Sequence, residues 1–229
     1  LDTEKDVKKC GFLLFIGGAV FTAVIILWPI FMVLSQTEGE IGEQLTAISF
    51  QPEMYKLNFF IASLIAPAMA LILVMLAFKV ETRMKTPKLN TLGAVLIVPY
   101  AVLVSFAYIS QYTLLQGFLN DGDWLQAELW YFNNAASVPY FINQLGYAFF
   151  GFSGMLIGFK FLKEKGILRA IGVLLWLSGI LSFAAFGGLM LGSELMNFST
   201  IISGLLTLPI GILVMSWGLH LGRREGSYG

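Results

Sequence analysis

The chain has 229 residues, 57% of them hydrophobic and 12% charged, with a mean hydropathy of +0.79. An ordinary soluble domain carries about 25% charged residues, so this chain cannot cover a soluble surface, and it is too apolar for intrinsic disorder. Fourteen basic residues balance fourteen acidic ones, leaving no net positive field to hold nucleic acid, and one Cys with one His excludes a disulfide framework and the usual zinc patterns. An integral membrane protein remains.

A spanning helix needs about 20 mostly apolar residues, because the hydrocarbon core is about 30 Å thick and each residue rises about 1.5 Å. Six stretches meet that test, at approximately 11–35, 57–79, 91–115, 137–160, 168–191 and 198–221. None holds Asp, Glu, Lys or Arg in its central part, and unbroken apolar runs argue against a β-barrel. The expected fold is therefore all-α: one domain over 1–229, a six-helix transmembrane bundle.

The N-terminal tail brings Lys5, Lys8 and Lys9 to the first span. The chain begins on Leu1 rather than Met, so further residues upstream are expected. The first span is too long for a signal-peptide core and is expected to be retained. Cys10 lies at its inner boundary, either as an interfacial residue or as an acylation site. The segment 36–56 is longer than a turn needs and mixes Leu45, Ile48, Phe50, Met54 and Tyr55 with acids.

The second span leaves through Lys79 into a turn with Arg83, Lys85 and Lys88, and the fourth through Lys160 into Lys163, Lys165 and Arg169. These two inner turns share a pattern, Ala77-Phe78-Lys79 and Gly158-Phe159-Lys160, which reflects either a duplicated hairpin or common membrane composition. Arg223 and Arg224 close the chain, so thirteen of fourteen basic residues fall on one side and only Lys56 on the other. The positive-inside bias then puts both termini in the cytoplasm. Between the third and fourth spans, Leu125, Leu129 and Phe132 share helical spacing, either as a segment lying flat in the interface or as an aromatic belt on a connecting loop.

Pro29, Pro67, Pro99 and Pro209 lie within spans, where each removes a backbone hydrogen bond and predicts a local kink. Small residues are where helices touch in lipid. Gly151, Gly154 and Gly158 share one face of the fourth span, Gly172 and Gly179 mark the fifth, and Gly204, Gly211 and Gly218 recur every seven residues in the sixth. The last three spans are expected to pack together with these faces inward.

No ionisable group sits at depth to hold a coupling ion. His220 is alone near the inner boundary, so neither a bis-histidine haem nor a Ser-His-Asp triad can form. Neutral polar groups gather instead in the outer half: Asn58; Tyr108, Gln111 and Tyr112; Asn143, Gln144 and Tyr147; with Glu194 at the turn before the last span. Asn143 lies roughly 25 Å from the inner edge at about 1.5 Å per residue. Two readings stand. These groups line a pocket for an amphiphile such as a lipid, quinone or isoprenoid, roofed by the Trp124–Phe132 segment, or they hydrogen-bond the helices to one another.

The stretch Tyr147–Phe186 contains Phe149-Phe150-Gly151, Gly158, a basic turn with Gly166 and Arg169, and Gly172-Val173-Leu174-Leu175. It resembles the domain-of-unknown-function family 4386, a group of prokaryotic multi-pass membrane proteins; the turn proline associated with that family is replaced by Leu168. The resemblance implies a six-helix bundle in the cytoplasmic membrane and brings no activity with it. The functional expectation is a non-enzymatic binder of a lipid-like ligand, or an accessory subunit of a membrane complex. The alternatives are an uncoupled transporter or flippase for a small amphiphile, and a lipid-modifying enzyme using Glu128 or Glu194 at the outer face. No cofactor or metal is expected. The expected partners are membrane lipids and either a membrane-protein partner or a second copy of the chain.

Overall fold

The computed structural model describes residues 4–80, 82, 84–193 and 199–223. Among them are ten α-helices and one 3-10 turn, and no strand. The helices are α1 (Glu4–Leu34), α2 (Ile41–Phe50), α3 (Pro52–Ser63), α4 (Ile65–Lys79), α5 (Pro87–Tyr112), α6 (Leu114–Asp121), α7 (Trp124–Trp130), α8 (Val138–Gly158), α9 (Gly166–Leu191) and α10 (Ser199–Arg223), with the 3-10 turn at Phe159–Phe161.

Five rods are long and apolar enough to cross a membrane: Val7–Leu34, Pro52–Lys79, Pro87–Asp121, Gly166–Leu191 and Ser199–Gly222. The expected fourth span is the exception. Its helix, α8, has 21 residues, about 31 Å at 1.5 Å per residue, but Tyr140, Asn143, Gln144 and Tyr147 dilute its apolar character. The physical reason is its place in the fold. It runs between α5 and α9 and buries twelve of its residues, Asn143, Gln144 and Tyr147 among them, so these polar groups face protein.

The second rod breaks at Leu64, between α3 and α4. Pro67 lacks the N–H that would bond the Ser63 carbonyl and its ring crowds that carbonyl; Leu64 bonds back to Ile61 in a tighter turn at 3.1 Å. Pro29, Pro99 and Pro209 stay inside continuous helices. The third rod breaks at Thr113 without a proline, and Gly122 closes α6 in the left-handed conformation (φ +72°) that a residue without Cβ adopts freely.

Glycines set the closest approaches. A Cβ on Gly151 would meet the Gly179 carbonyl oxygen at 2.8 Å, and one on Gly172 would meet the Gly158 oxygen at 3.1 Å, so α8 and α9 touch backbone to backbone as expected. The glycine seam of α10 is different. Gly211 faces Thr22 and Phe21, and Gly218 faces the backbone of Gly11 and Phe15, so the seam packs on α1; Gly204 meets nothing within 4 Å. The α9–α10 contact is made by serines, with Ser203 Oγ 2.9 Å from both Ser178 Oγ and Ser182 Oγ. Seven-residue spacing gave a face without naming which neighbour it meets, and Gly11 and Gly18 on α1 complete it.

The bundle thus has a basic end, where α1, α5 and α9 begin and α4, α8 and α10 finish, and an opposite acidic end, capped by α2, α6 and α7. Gly218→Ala is expected to lower the thermal unfolding midpoint in detergent, at an overpacking cost of about 1–3 kcal/mol. Gly204→Ala, in open space, is expected to leave the midpoint unchanged or raise it.

Candidate functional site

At the acidic end, Gln111 on α5 is fully buried and every hydrogen-bonding position of its amide is used. Its Oε1 accepts from Tyr55 Oη at 2.8 Å and from the Phe132 backbone N–H at 3.0 Å. Its Nε2 donates to the Trp130 carbonyl at 2.9 Å and to Ser110 Oγ at 3.0 Å. An amide has two lone pairs and two N–H groups, so Gln111 is saturated and ties α3 and the chain after α7 to α5. A second amide ties down α2: Gln44 accepts from Tyr131 Oη and donates to the Gly39 carbonyl at 2.7 Å. Burial pushes the Tyr131 phenol above its ordinary range, against hydrogen bonds from Thr37 and Asn133 that pull it down, so it remains a neutral donor.

Helical spacing suggested that Leu125, Leu129 and Phe132 form one stripe, but α7 ends at Trp130 and Tyr131 is extended. Leu125 and Leu129 are exposed. Phe132 instead turns in between three helices, its ring centroid 5.4 Å from Phe59, 5.4 Å from Tyr108 and 6.0 Å from Tyr140. The end of the Trp124–Phe132 segment therefore packs down onto α3, α5 and α8 at the acidic end, with Phe132 as its wedge. Below it, the Tyr108 and Tyr147 side chains are hydrogen-bonded, and Tyr147 packs edge-on to Tyr100 at 5.7 Å.

The structure divides the expected site residues. Tyr108, Gln111 and Tyr147 converge under the roof. Gln144 turns the other way and accepts from Thr200 Oγ1 on α10 at 2.9 Å. Tyr112 is half-buried and packs edge-on to the exposed Phe60. Asn58 on α3 and Asn143 on α8 are 4% and 3% exposed, and the Oδ1 of each has no hydrogen-bond partner. Glu194 lies outside the described residues.

Sequence reasoning missed the other end. Lys160, 2% exposed, reaches from the 3-10 turn to the C-terminus of α4. Its Nζ donates to the carbonyls of Leu76, of Ala77 at 3.0 Å and of Val80 at 3.1 Å. Asn90 Nδ2 shares the Ala77 oxygen at 3.0 Å, and Cys10 Sγ donates to the Lys79 carbonyl at 3.6 Å. The last carbonyls of a helix lack intrahelical donors and carry partial negative charge, so an ammonium is a fitting cap. The basic residue at the end of a span was visible; that it turns inward, onto a helix some eighty residues earlier, was not.

Apolar rods with polar groups turned inward and caps at both ends define an all-helical membrane protein. The family model for a domain of unknown function (DUF4386) matches residues 13–222, most of the chain, and the chain belongs to that family. No curated protein and no solved structure matches it.

Gln111→Ala is expected to destabilise the bundle by about 3 kcal/mol, since it strands the Tyr55 hydroxyl and two backbone groups in a buried site. Chemical denaturation in mixed micelles measures it. Gln111→Leu, similar in volume, is expected to do no better, because the lost partners and not the lost volume set the cost.

Proposed function

We propose that the chain crosses the cell membrane six times, with α8 as the fourth crossing and both termini cytoplasmic, and that it acts without catalysis by binding a lipid-like amphiphile in its outer half. Two arrangements support the topology: α8 runs the length of α5 and α9, and basic residues such as Lys79, Lys85, Lys163 and Arg169 gather at one end while the acids Glu38, Glu43, Asp123 and Glu128 gather at the other. Positive charge is retained on the cytoplasmic side.

One observation carries the binding reading. Asn58 and Asn143 sit on α3 and α8, both packed against α5, and each buries a carboxamide oxygen without a donor. An unmet buried acceptor costs about 1–3 kcal/mol. A head group bearing a hydroxyl or ammonium supplies the missing donor, while its tail lies along the apolar floor below. The same chemistry fits a partner subunit presenting one polar side chain on an apolar helix face.

Native mass spectrometry of the gently solubilised protein tests this. A bound amphiphile, or a partner at fixed stoichiometry, is expected on the wild type and lost from Asn58→Leu and Asn143→Leu with helical content retained. A protein that carries nothing, or a ligand that both substitutions leave in place, contradicts the reading.

A further inference from the structure

The long helices pack in a closed circuit: α1 on α10, α10 on α9, α9 on α8, α8 on α5, α5 on α3 and α4, and these back on α1. Across the circuit α4 meets α8, and Lys160 pins that crossing at the basic end through the Ala77 and Val80 carbonyls. Toward the acidic end the crossing is made by rings instead. Phe132 stands between Phe59 of α3 and Tyr140 of α8. Tyr108 of α5 packs on Phe59 at 6.0 Å between ring centroids and is hydrogen-bonded to Tyr147 of α8.

The two unmet carboxamides belong to this aromatic cluster. Asn58 immediately precedes Phe59, and Asn143 lies one helical turn from both Tyr140 and Tyr147. They stand on its α3 and α8 sides, each at least nine-tenths buried, each with an Oδ1 that has no donor. A head group that satisfies both must donate two hydrogen bonds. It must also be neutral, since a buried cation needs an opposite charge and carboxamides and phenols offer only dipoles. Rings on both sides favour a flat partner, because aromatic faces and edges attract one another.

We propose that the bound amphiphile is a quinol, a two-hydroxyl aromatic head on an apolar tail, held in preference to its oxidised form. This rests on the binding reading above and names the ligand of that same site. One hydroxyl donates to Asn58 Oδ1 and the other to Asn143 Oδ1, while the ring lies among Phe59, Tyr108 and Phe132. A quinone has the same size and the same tail but carries two carbonyl oxygens and no O–H. It leaves both carboxamide oxygens unmet and adds two acceptors of its own, so the site distinguishes the redox states by hydrogen-bond polarity and not by shape.

The test follows the thermal unfolding midpoint of the full chain in a neutral detergent under nitrogen, titrated with decylubiquinol, decylubiquinone, dioctanoylglycerol or phosphatidylethanolamine. Decylubiquinol is expected to raise the midpoint saturably, with a half-saturating concentration about tenfold below that of decylubiquinone, the effect of a hydrogen bond gained in a buried site. Asn58→Leu and Asn143→Leu are each expected to reduce that preference, and the double substitution to bring the two redox forms within about twofold. Each removes an oxygen that has no donor, so the ligand-free midpoint is expected to hold or rise. Tyr112→Phe, whose ring packs on the exposed Phe60, is expected to keep the preference. The comparison of redox forms needs only the wild type, so it stands even if a variant fails to fold. The proposal is overturned if decylubiquinone binds as well as decylubiquinol, if the double variant keeps the preference, or if Tyr112→Phe loses it. It is also overturned if dioctanoylglycerol or phosphatidylethanolamine matches the quinol, a result that leaves the binding reading itself standing. A chain that binds none of the four and is bare in native mass spectrometry contradicts both.

Discussion

Lipid removes the force that ordinarily drives helices together, so this bundle is held by close backbone approach and by hydrogen bonds with no water to compete for them. The glycine contacts of α8 with α9 and of α10 with α1 bring the axes close enough for dispersion to act along whole helix lengths. The polar contacts then select one arrangement among many that would pack similarly. Gln111 fixes how the roof and α3 sit on α5, and Lys160 fixes where α4 stops relative to α8.

These two residues are alike in logic, although one is a neutral amide and the other a cation. Each satisfies backbone groups that have no partner within their own element. Gln111 takes up a carbonyl and an N–H from the chain leaving α7, while Lys160 takes up the carbonyls at the end of α4. Neither is exposed, so neither serves solubility. Between them α8 is packed along α5 and α9, and its polar residues Asn143, Gln144 and Tyr147 are buried there.

The architecture was legible where it rests on length and composition. Apolar runs near 20 residues became rods, and the glycines of α8 met those of α9. It was illegible where it rests on which face meets which neighbour. Gly211 and Gly218 gave a seam, but α1 rather than α8 or α9 fills it. Phe132 shared a helical period with Leu125 and Leu129, yet the helix stops first and the ring turns inward. The polar residues near the acidic end were visible in the sequence, but periodicity does not tell a saturated amide such as Gln111 from one with an unmet oxygen such as Asn143. Lys160 was hidden for the opposite reason. A lysine at the end of a span reads as an interfacial charge, and only the fold brings it to the carbonyls of α4.

The topology of α8 is the point on which the account turns, because it decides whether the acidic and basic ends face different compartments. Single cysteines placed at Glu128, before α8, and at Lys165, after it, in a Cys10→Ala background measure this directly with a membrane-impermeant maleimide on intact expressing cells. The account predicts that Glu128→Cys is labelled in intact cells, and that Lys165→Cys is labelled only after permeabilisation. Labelling of both in intact cells, or of neither, would contradict it.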